Sequence, residues 1–285
     1  MSVVVANSLD EVLDALSARP DATLLAGGTD VMVEINLGHR RPTSIVSIDR
    51  VPELRTWTFH AADQTVQLGA AVRYGEIAAE PLAGWLPALA QAARTVGSPQ
   101  IRAAATIGGN LGTCSPAGDG LPVLAALDAV VHLRDAAGRR DLPFADFMTG
   151  PKRTALAPGE LIESVTVPVA RGWQGFAKVG VRNAMVIATA SACLAVDTTT
   201  HSVRLALGSV GPVILRAPEA ERIAAEAADF EAGTIGVDAI AAFGAAAEAA
   251  ARPIDDHRSS AAYRRHAIGV FARRLLTRAF PGGPS

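Results

Sequence analysis

The chain has 285 residues, of which 49% are hydrophobic and 19% charged, and its formal net charge is -2. That length buries a full core and divides into two or three compact units, while the near-neutral balance offers no basic field to nucleic acid or anionic lipid. Two cysteines and six scattered histidines rule out a disulfide framework and give no ligand spacing for a metal or cluster held by this chain.

In chain order, the start Met1-Ser2-Val3-Val4-Val5 carries no basic run and soon meets Asp10 and Glu11, which argues against a secretory leader. Ser8 is suited to cap a helix that buries Leu9, Val12, Leu13 and Leu16, closed by Arg19-Pro20-Asp21. Residues 22–26 read as a buried strand, and 43–48 and 65–68 as two more. A short helix is expected over 75–80 and a longer one over 86–96. Beyond Thr106, residues 119–127 read as helical, 129–133 and 139–142 as a hairpin about Ala137-Gly138, 143–150 as a loop, and 160–168 as a strand carrying Ile162, Val165 and Val167. From Trp173 three strands follow, at 175–181, 188–196 and 202–210, then helices at 218–228, 237–251 and 261–279. The run 184–196 contains Thr189 and Ser191 and falls short of the ~20 residues that span a bilayer. A soluble, cytoplasmic protein is expected. Strands followed by helices predict an α+β C-terminal domain with its boundary near Trp173. Arg264, Arg265, Arg273, Arg274 and Arg278 share no single helix face and read as a solvated helix whose positive end complements its dipole.

Two short segments carry the chemistry: Leu24-Leu25-Ala26-Gly27-Gly28-Thr29-Asp30 and Thr106-Ile107-Gly108-Gly109-Asn110-Leu111. Paired glycines after an apolar run let the main chain turn tightly and approach a ligand. Successive bare N–H groups form a concave site for phosphate oxygens. Two such loops suggest two grips on one long anionic ligand, such as a diphosphate-bridged dinucleotide. Neither G-x-G-x-x-G opening a helix nor G-x-x-x-x-G-K-[ST] occurs, so a Rossmann or P-loop site finds no support. By residue type alone, Lys178 reads as an exposed strand lysine, Asp119 as a helix N-terminal acid and Asn110 as a turn residue.

With both loops and their flanks in view, the chain resembles the flavin-binding medium subunit of the molybdenum hydroxylases, the xanthine dehydrogenase and aerobic carbon monoxide dehydrogenase family. The resemblance rests on Leu25-Ala26-Gly27-Gly28-Thr29-Asp30, Gly97-Ser98-Pro99-Gln100-Ile101-Arg102, Thr106-Ile107-Gly108-Gly109-Asn110, Ser115-Pro116-Ala117-Gly118-Asp119, Pro158-Gly159-Glu160-Leu161-Ile162, Phe176-Ala177-Lys178 and Asp256-His257-Arg258-Ser259-Ser260, in that order. It implies an α+β fold: a two-subdomain FAD-binding fold of the vanillyl-alcohol-oxidase/MurB type over 1–172, with subdomains 1–55 and 56–172, then a smaller α+β domain over 173–285. It further implies FAD held by Leu25, Ala26, Gly27, Gly28, Thr29, Asp30, Val31 and Met32 on one wall and Thr106, Ile107, Gly108, Gly109 and Asn110 on the other. Asp119 would accept from the nucleotide side, and Ile162 and Lys178 would flank the isoalloxazine, where a cation favours the anionic reduced flavin. No catalytic side chain and no metal ligand is expected in this chain. The resemblance places [2Fe-2S] clusters in a small partner subunit and the molybdenum cofactor in a large one, in a dimer of heterotrimers. A self-contained FAD oxidoreductase and a flavin-free nucleotide-binding scaffold are the competing readings. The aromatic that shields the flavin in several relatives is not assignable among Trp57, Tyr74 and Trp173.

Overall fold

A computed structural model describes residues 2–282. The chain opens with β1 (Ser2–Val5), α1 (Leu9–Ala18), β2 (Thr23–Leu25), α2 (Val31–Asn36) and β3 (Ser44–Ser47), whose strands form a parallel sheet in the order β1-β3-β2. Ser8 caps α1, its Oγ accepting from the Glu11 N–H at 3.2 Å. Val12, Leu13 and Leu16 are buried as expected, and Leu9 is half-buried.

There follow β4 (Trp57–His60), β5 (Thr65–Gly69), α3 (Tyr74–Ile77), α4 (Leu82–Trp85), α5 (Pro87–Thr95), α6 (Pro99–Ala104), α7 (Ile107–Thr113), α8 (Leu121–Ala126), β6 (Val130–Arg134), β7 (Arg139–Pro143), α9 (Phe144–Phe147), β8 (Met148–Gly150), β9 (Arg153–Thr154) and β10 (Leu161–Pro168). Strands β4-β5-β10-β6-β7 form one antiparallel sheet. Its inner face, with Val66, Leu68, Val131, Leu133 and Val165, packs against Leu89, Ile107, Leu111 and Leu124 of the helices. The small parallel sheet is welded to it, because Leu54, Ala71 and Leu161 complete the core of Val12, Leu16 and Val46.

The remaining chain builds β11 (Gly172–Val179), β12 (Ala190–Asp197), β13 (Ser202–Gly208) and β14 (Leu215–Arg216), an antiparallel sheet in sequence order. It is backed by α10 (Pro218–Ala227), α11 (Val237–Ala250) and α12 (Ala261–Ala279). Leu194, Leu205 and Leu207 of the sheet meet Phe243, Ile268 and Leu275 of the helices. This is the α+β organisation expected.

The differences have local causes. Residues 106–111 are not a loop: Thr106 caps α7, its Oγ1 accepting from the Gly109 N–H. The expected loop 143–150 is likewise the end of β7 at Pro143 followed by α9 and β8, where Phe144, Phe147 and Met148 turn inward. The N-terminal valines, read only for a leader, form an edge strand with Val3, Val4 and Val5 exposed. Strand β4 and the short helices α2, α4 and α6 went unpredicted, although Ser98-Pro99 carries an N-cap and an N1 proline for α6.

Arg264 is also not solvated. It is 4% exposed, pairs with Asp256 through Nη2 at 2.6 Å, and donates from Nη1 to the carbonyls of Thr189 at 3.0 Å and Ser209 at 2.8 Å. It thereby pins α12 to the ends of β12 and β13. Arg265, Arg274 and Arg278 are exposed, as expected. Burial opposes ionisation of Asp256, but donation from the Arg258 N–H, Arg264 and the Ser259 N–H outweighs it and lowers its pKa to about 2. A folded-state value below the unfolded one of about 3.9 means stabilisation that is present above about pH 4 and lost as pH falls toward 2. Arg264→Met is expected to cost about 2 kcal/mol at neutral pH, because it strands a partly buried carboxylate and two carbonyls. Melting temperatures from pH 7 down to pH 3 should then show a shallower acid limb than in the parent chain.

Candidate functional site

At the end of β2 the chain meets α6 at a place with no room for a side chain. A Cβ on Gly27 would lie 1.9 Å from the Ala104 carbonyl oxygen, so the first glycine segment rests directly on the stretch that leads into Thr106. Gly28 takes φ +71°, the left-handed region that glycine enters freely. No described residue accepts a hydrogen bond from the main-chain N–H groups of residues 26–31, until the Met32 N–H turns back to the Gly28 carbonyl at 3.1 Å to open α2. Asp30 Oδ2 accepts from Thr113 Oγ1 at 2.9 Å and ties this turn to the far end of α7. The segment is a run of unused donors with a fixed backbone, which suits an anion.

The second segment works differently. The Ile107 N–H donates to the Val72 carbonyl at 3.0 Å and the Gly108 N–H to the Ala70 carbonyl at 2.9 Å; the Gly109 N–H is taken by Thr106 Oγ1 at 3.0 Å. Two equivalent anion cradles are therefore not present, and Asn110 is helical rather than a left-handed turn residue. Glycine serves here for shape. A Cβ on Gly108 would stand 2.6 Å from the Ala70 carbonyl oxygen, whereas one on Gly109 would meet only Thr106 Oγ1, at 3.1 Å. On Gly112 the nearest neighbour would be Ile162 Cδ1 at 3.9 Å. Helix α7 thus turns a smooth, side-chain-free surface outward, with Ile162 at its edge.

Asn110 is held by a residue that sequence spacing does not reveal. The hydroxyl of Tyr74, itself fully buried, donates to Asn110 Oδ1 at 2.8 Å, and burial raises the phenol pKa well above its usual value. Asn110 packs against Gly118 and Gly120, the neighbours of Asp119. Lys178, on β11, is not an exposed strand lysine. Its side chain is 9% exposed, and its Nζ lies 2.5 Å from Asp119 Oδ2 and 3.2 Å from the Thr95 carbonyl. Thr95 Oγ1 also donates to Asp119 Oδ2 at 3.0 Å. Burial raises the Asp119 pKa, opposed by Lys178 and Thr95. Its other oxygen, Oδ1, is buried and has no hydrogen-bond partner among the described residues.

That orphaned acceptor calls for a hydroxyl or amide donor from a ligand. With the unused donors of residues 26–31 and the bare surface of α7, it fits the sugar-alcohol and diphosphate parts of a dinucleotide such as FAD. Thr95 is the site residue that sequence reasoning missed, and Tyr74, named only as a candidate aromatic, serves instead to hold Asn110. Both lie on helices remote in sequence and reach the site only through tertiary packing. Of the aromatic candidates, Trp57 packs edge-on against Trp85 at a centroid distance of 5.8 Å and the Trp173 ring covers Gly175. Cys114 and Cys193 are both buried, and desolvation pushes the Cys114 thiol up to about 11. Among the described residues no group of His, Cys, Asp and Glu is arranged to hold a metal ion.

Comparison with known proteins is consistent with this geometry. The family model for an FAD binding domain in molybdopterin dehydrogenase matches residues 1–170, and that for a CO dehydrogenase flavoprotein C-terminal domain matches residues 176–279. The glyceraldehyde dehydrogenase medium chain of Sulfolobus acidocaldarius is 31% identical, over 96% of this chain and 96% of its own length. The xanthine dehydrogenase FAD-binding subunit of Escherichia coli O157:H7 is 29% identical, over 96% and 94%. A chain in the structure of carbon monoxide dehydrogenase from Hydrogenophaga pseudoflava superposes with a TM-score of 0.87 at 28% identity, covering 99% of this chain and 97% of that one.

The two glycines of α7 separate binding from folding. Gly109→Val is expected to fold, since valine is no worse a helix former than glycine and its Cβ would meet only Thr106 Oγ1, and to lose FAD because its side chain fills the ligand space. Gly108→Val is expected to misfold against Ala70. Circular dichroism and the flavin-to-protein absorbance ratio check both. Lys178→Met leaves the Asp119 carboxylate buried and under-paired, at about 3–5 kcal/mol. An acid whose folded pKa is raised holds its proton better when folded, so its stability contribution declines as pH rises through that value. The variant should therefore lose stability relative to the parent as pH rises above the ordinary carboxylate range of about 4, and Asp119→Asn in the same chain should flatten that dependence in a melting series.

Proposed function

The chain belongs to the family of FAD-binding medium subunits of molybdenum hydroxylases, and from that premise we propose how its own residues serve an electron-transfer flavoprotein. Bound FAD supplies the redox chemistry; the protein supplies a grip, an orientation and an electrostatic setting. Residues 26–31 direct their free N–H groups at the diphosphate, within a wall running from Leu25 to Met32. Thr106 to Asn110 form the opposite wall, the bare Cα of Gly109 allowing the ligand to lie against the helix. Asp119 accepts a ligand hydroxyl through Oδ1. Ile162 and Lys178 flank the ring system, and because Asp119 already balances Lys178, the cation's pull on the reduced flavin is softer than that of a lone lysine. The observation that carries this reading is the buried Asp119 Oδ1, without a partner among the described residues, on the carboxylate that Lys178 holds through Oδ2.

The complex we propose is a dimer of heterotrimers in the cytoplasm, with an iron–sulfur small subunit feeding electrons to this chain and a molybdopterin-binding large subunit oxidising the substrate. The flavin passes the electrons on to NAD⁺, a quinone or dioxygen. Support comes from α2, which follows the diphosphate turn and buries none of its residues, leaving Met32, Val33 and the adjoining Leu37 exposed, as surfaces awaiting a partner do. We also divide the chain at 172/173, with a subdivision at 55/56, a division supported by each sheet falling within one segment apart from Gly172, the first residue of β11. Affinity capture of the tagged chain from its host should recover both partners, with iron and molybdenum, and about one flavin per chain by absorbance. Recovery of a molybdenum-free monomer that turns over a substrate alone would sink the proposal.

A further inference from the structure

Helix α8 begins directly after Asp119 and Gly120, and every one of its residues is buried. It packs tightly on the four-stranded sheet: a Cβ on Gly208 of β13 would lie 2.8 Å from Pro122 Cγ and 2.4 Å from Ser191 Oγ. Six residues make a rod of about 9 Å. Its leading end carries Asp119, paired with Lys178 of β11. Its trailing end is tied to the same sheet a second time. The Ala125 carbonyl accepts from Arg216 Nη1 at 3.1 Å, Asp128 Oδ1 lies 2.6 Å from Arg216 Nη1, and Asp128 Oδ2 lies 3.0 Å from Arg204 Nε.

Three features mark the trailing tie as more than surface decoration. Arg216 is held rigid from behind, since Glu221 takes Nε at 2.6 Å and Nη2 at 2.9 Å while also accepting from the Leu205 N–H at 2.9 Å. Asp128 stands at φ +49°, a left-handed conformation that costs a non-glycine residue about 1–2 kcal/mol and that Asp and Asn tolerate best. Beside it lies a cavity of about 150 Å³ lined by Ala129, Phe144, Met148, Val213 and Ile214 among others. The trailing end is buried in the core, and beside this gap in the packing its charge pairs add a second tie.

We propose that α8 is a strut clamped at both ends to the four-stranded sheet, with Asp128 a positioning residue whose pairing with Arg204 and Arg216 sets the seat of Asp119 against Lys178 and so the affinity and potential of the flavin. This rests on the FAD site described above. With the trailing tie removed, the gap beside it lets α8 shift slightly, and Asp119 Oδ1 at its leading end shifts with it. The clamp is partly exposed, with Asp128 at 52% and Arg216 at 30% side-chain exposure, so salt weakens it.

The test uses the full chain with FAD. Asp128→Asn keeps the left-handed backbone and the side-chain volume while removing the charge; Arg204→Gln weakens the clamp from the other side. Both are expected to weaken FAD binding, by about three- to tenfold for Asp128→Asn and less for Arg204→Gln, read by flavin fluorescence titration (tenfold being about 1.4 kcal/mol). Both should raise the flavin midpoint potential, because a displaced Asp119 balances Lys178 less, whereas Lys178→Met should lower it; the FAD affinity of Asp128→Asn should depend less on salt than that of the parent. A lower melting temperature with parental FAD affinity and potential would make Asp128 an ordinary structural residue and overturn the strut. Failure of the parent chain itself to bind FAD would overturn the site and the strut together, so the two failures are distinguishable.

Discussion

The ion pair between Lys178 and Asp119 is the contact on which the rest of the arrangement turns. Both side chains are nearly removed from water, so each is costly unless the other is in place. Lys178 comes from the edge strand of the four-stranded sheet and Asp119 from the approach to a helix that belongs to the other core. Their meeting requires that the two layers dock in one register. Thr95 adds a hydroxyl to the carboxylate and a carbonyl to the ammonium, which uses the end of α5 to brace the pair. One carboxylate oxygen is spent on this internal work and the other is left buried and idle. Buried carboxylate oxygens are in general paired, and one without a partner among the described residues, at the junction of two layers, is an opening for a ligand.

The second constraint is steric. Gly27 and Gly108 are glycines because main chain lies where a Cβ would go, Ala104 against the first and Ala70 against the second. These contacts bring the donor-rich turn after β2 beside α7. Gly28 and Gly109 have other duties: Gly28 supplies the left-handed turn and Gly109 leaves the helix surface bare. Four glycines in two similar-looking pairs thus do three different physical jobs. A dinucleotide lying between them would meet free N–H groups on one side and a featureless helical wall on the other.

Much of the fold was legible because it follows from local rules. The Ser8 cap, the apolar spacing of α1, the hairpin around Ala137-Gly138, the strand over 160–168 and the three C-terminal helices need only periodicity and turn chemistry. The short elements were not legible. Helices such as α2, α4 and α9 are too brief to show a period and exist because the tertiary frame holds their ends. The edge strand β1 offers no alternation, since its valines stay exposed. Arg264 shows the same limit from the other side: one arginine among five on α12 is buried, and only Asp256 with the carbonyls of Thr189 and Ser209 makes that affordable.

For the site, the sequence by itself determined which residue types were available and where the backbone had to be bare. The order of the motifs from Leu25 to Ser260 carried the resemblance to the family. What only the tertiary structure decided is which groups remain free. The glycine pairs look alike in sequence, yet the N–H groups of one are consumed by Val72, Ala70 and Thr106 while those of the other are not. Lys178 and Asp119 are each unremarkable in their own segments and become a pair through packing across 59 residues of chain. Hydrogen-bond satisfaction is a property of the whole molecule, since every donor's partner depends on how distant segments dock, and no stretch of sequence holds that information alone.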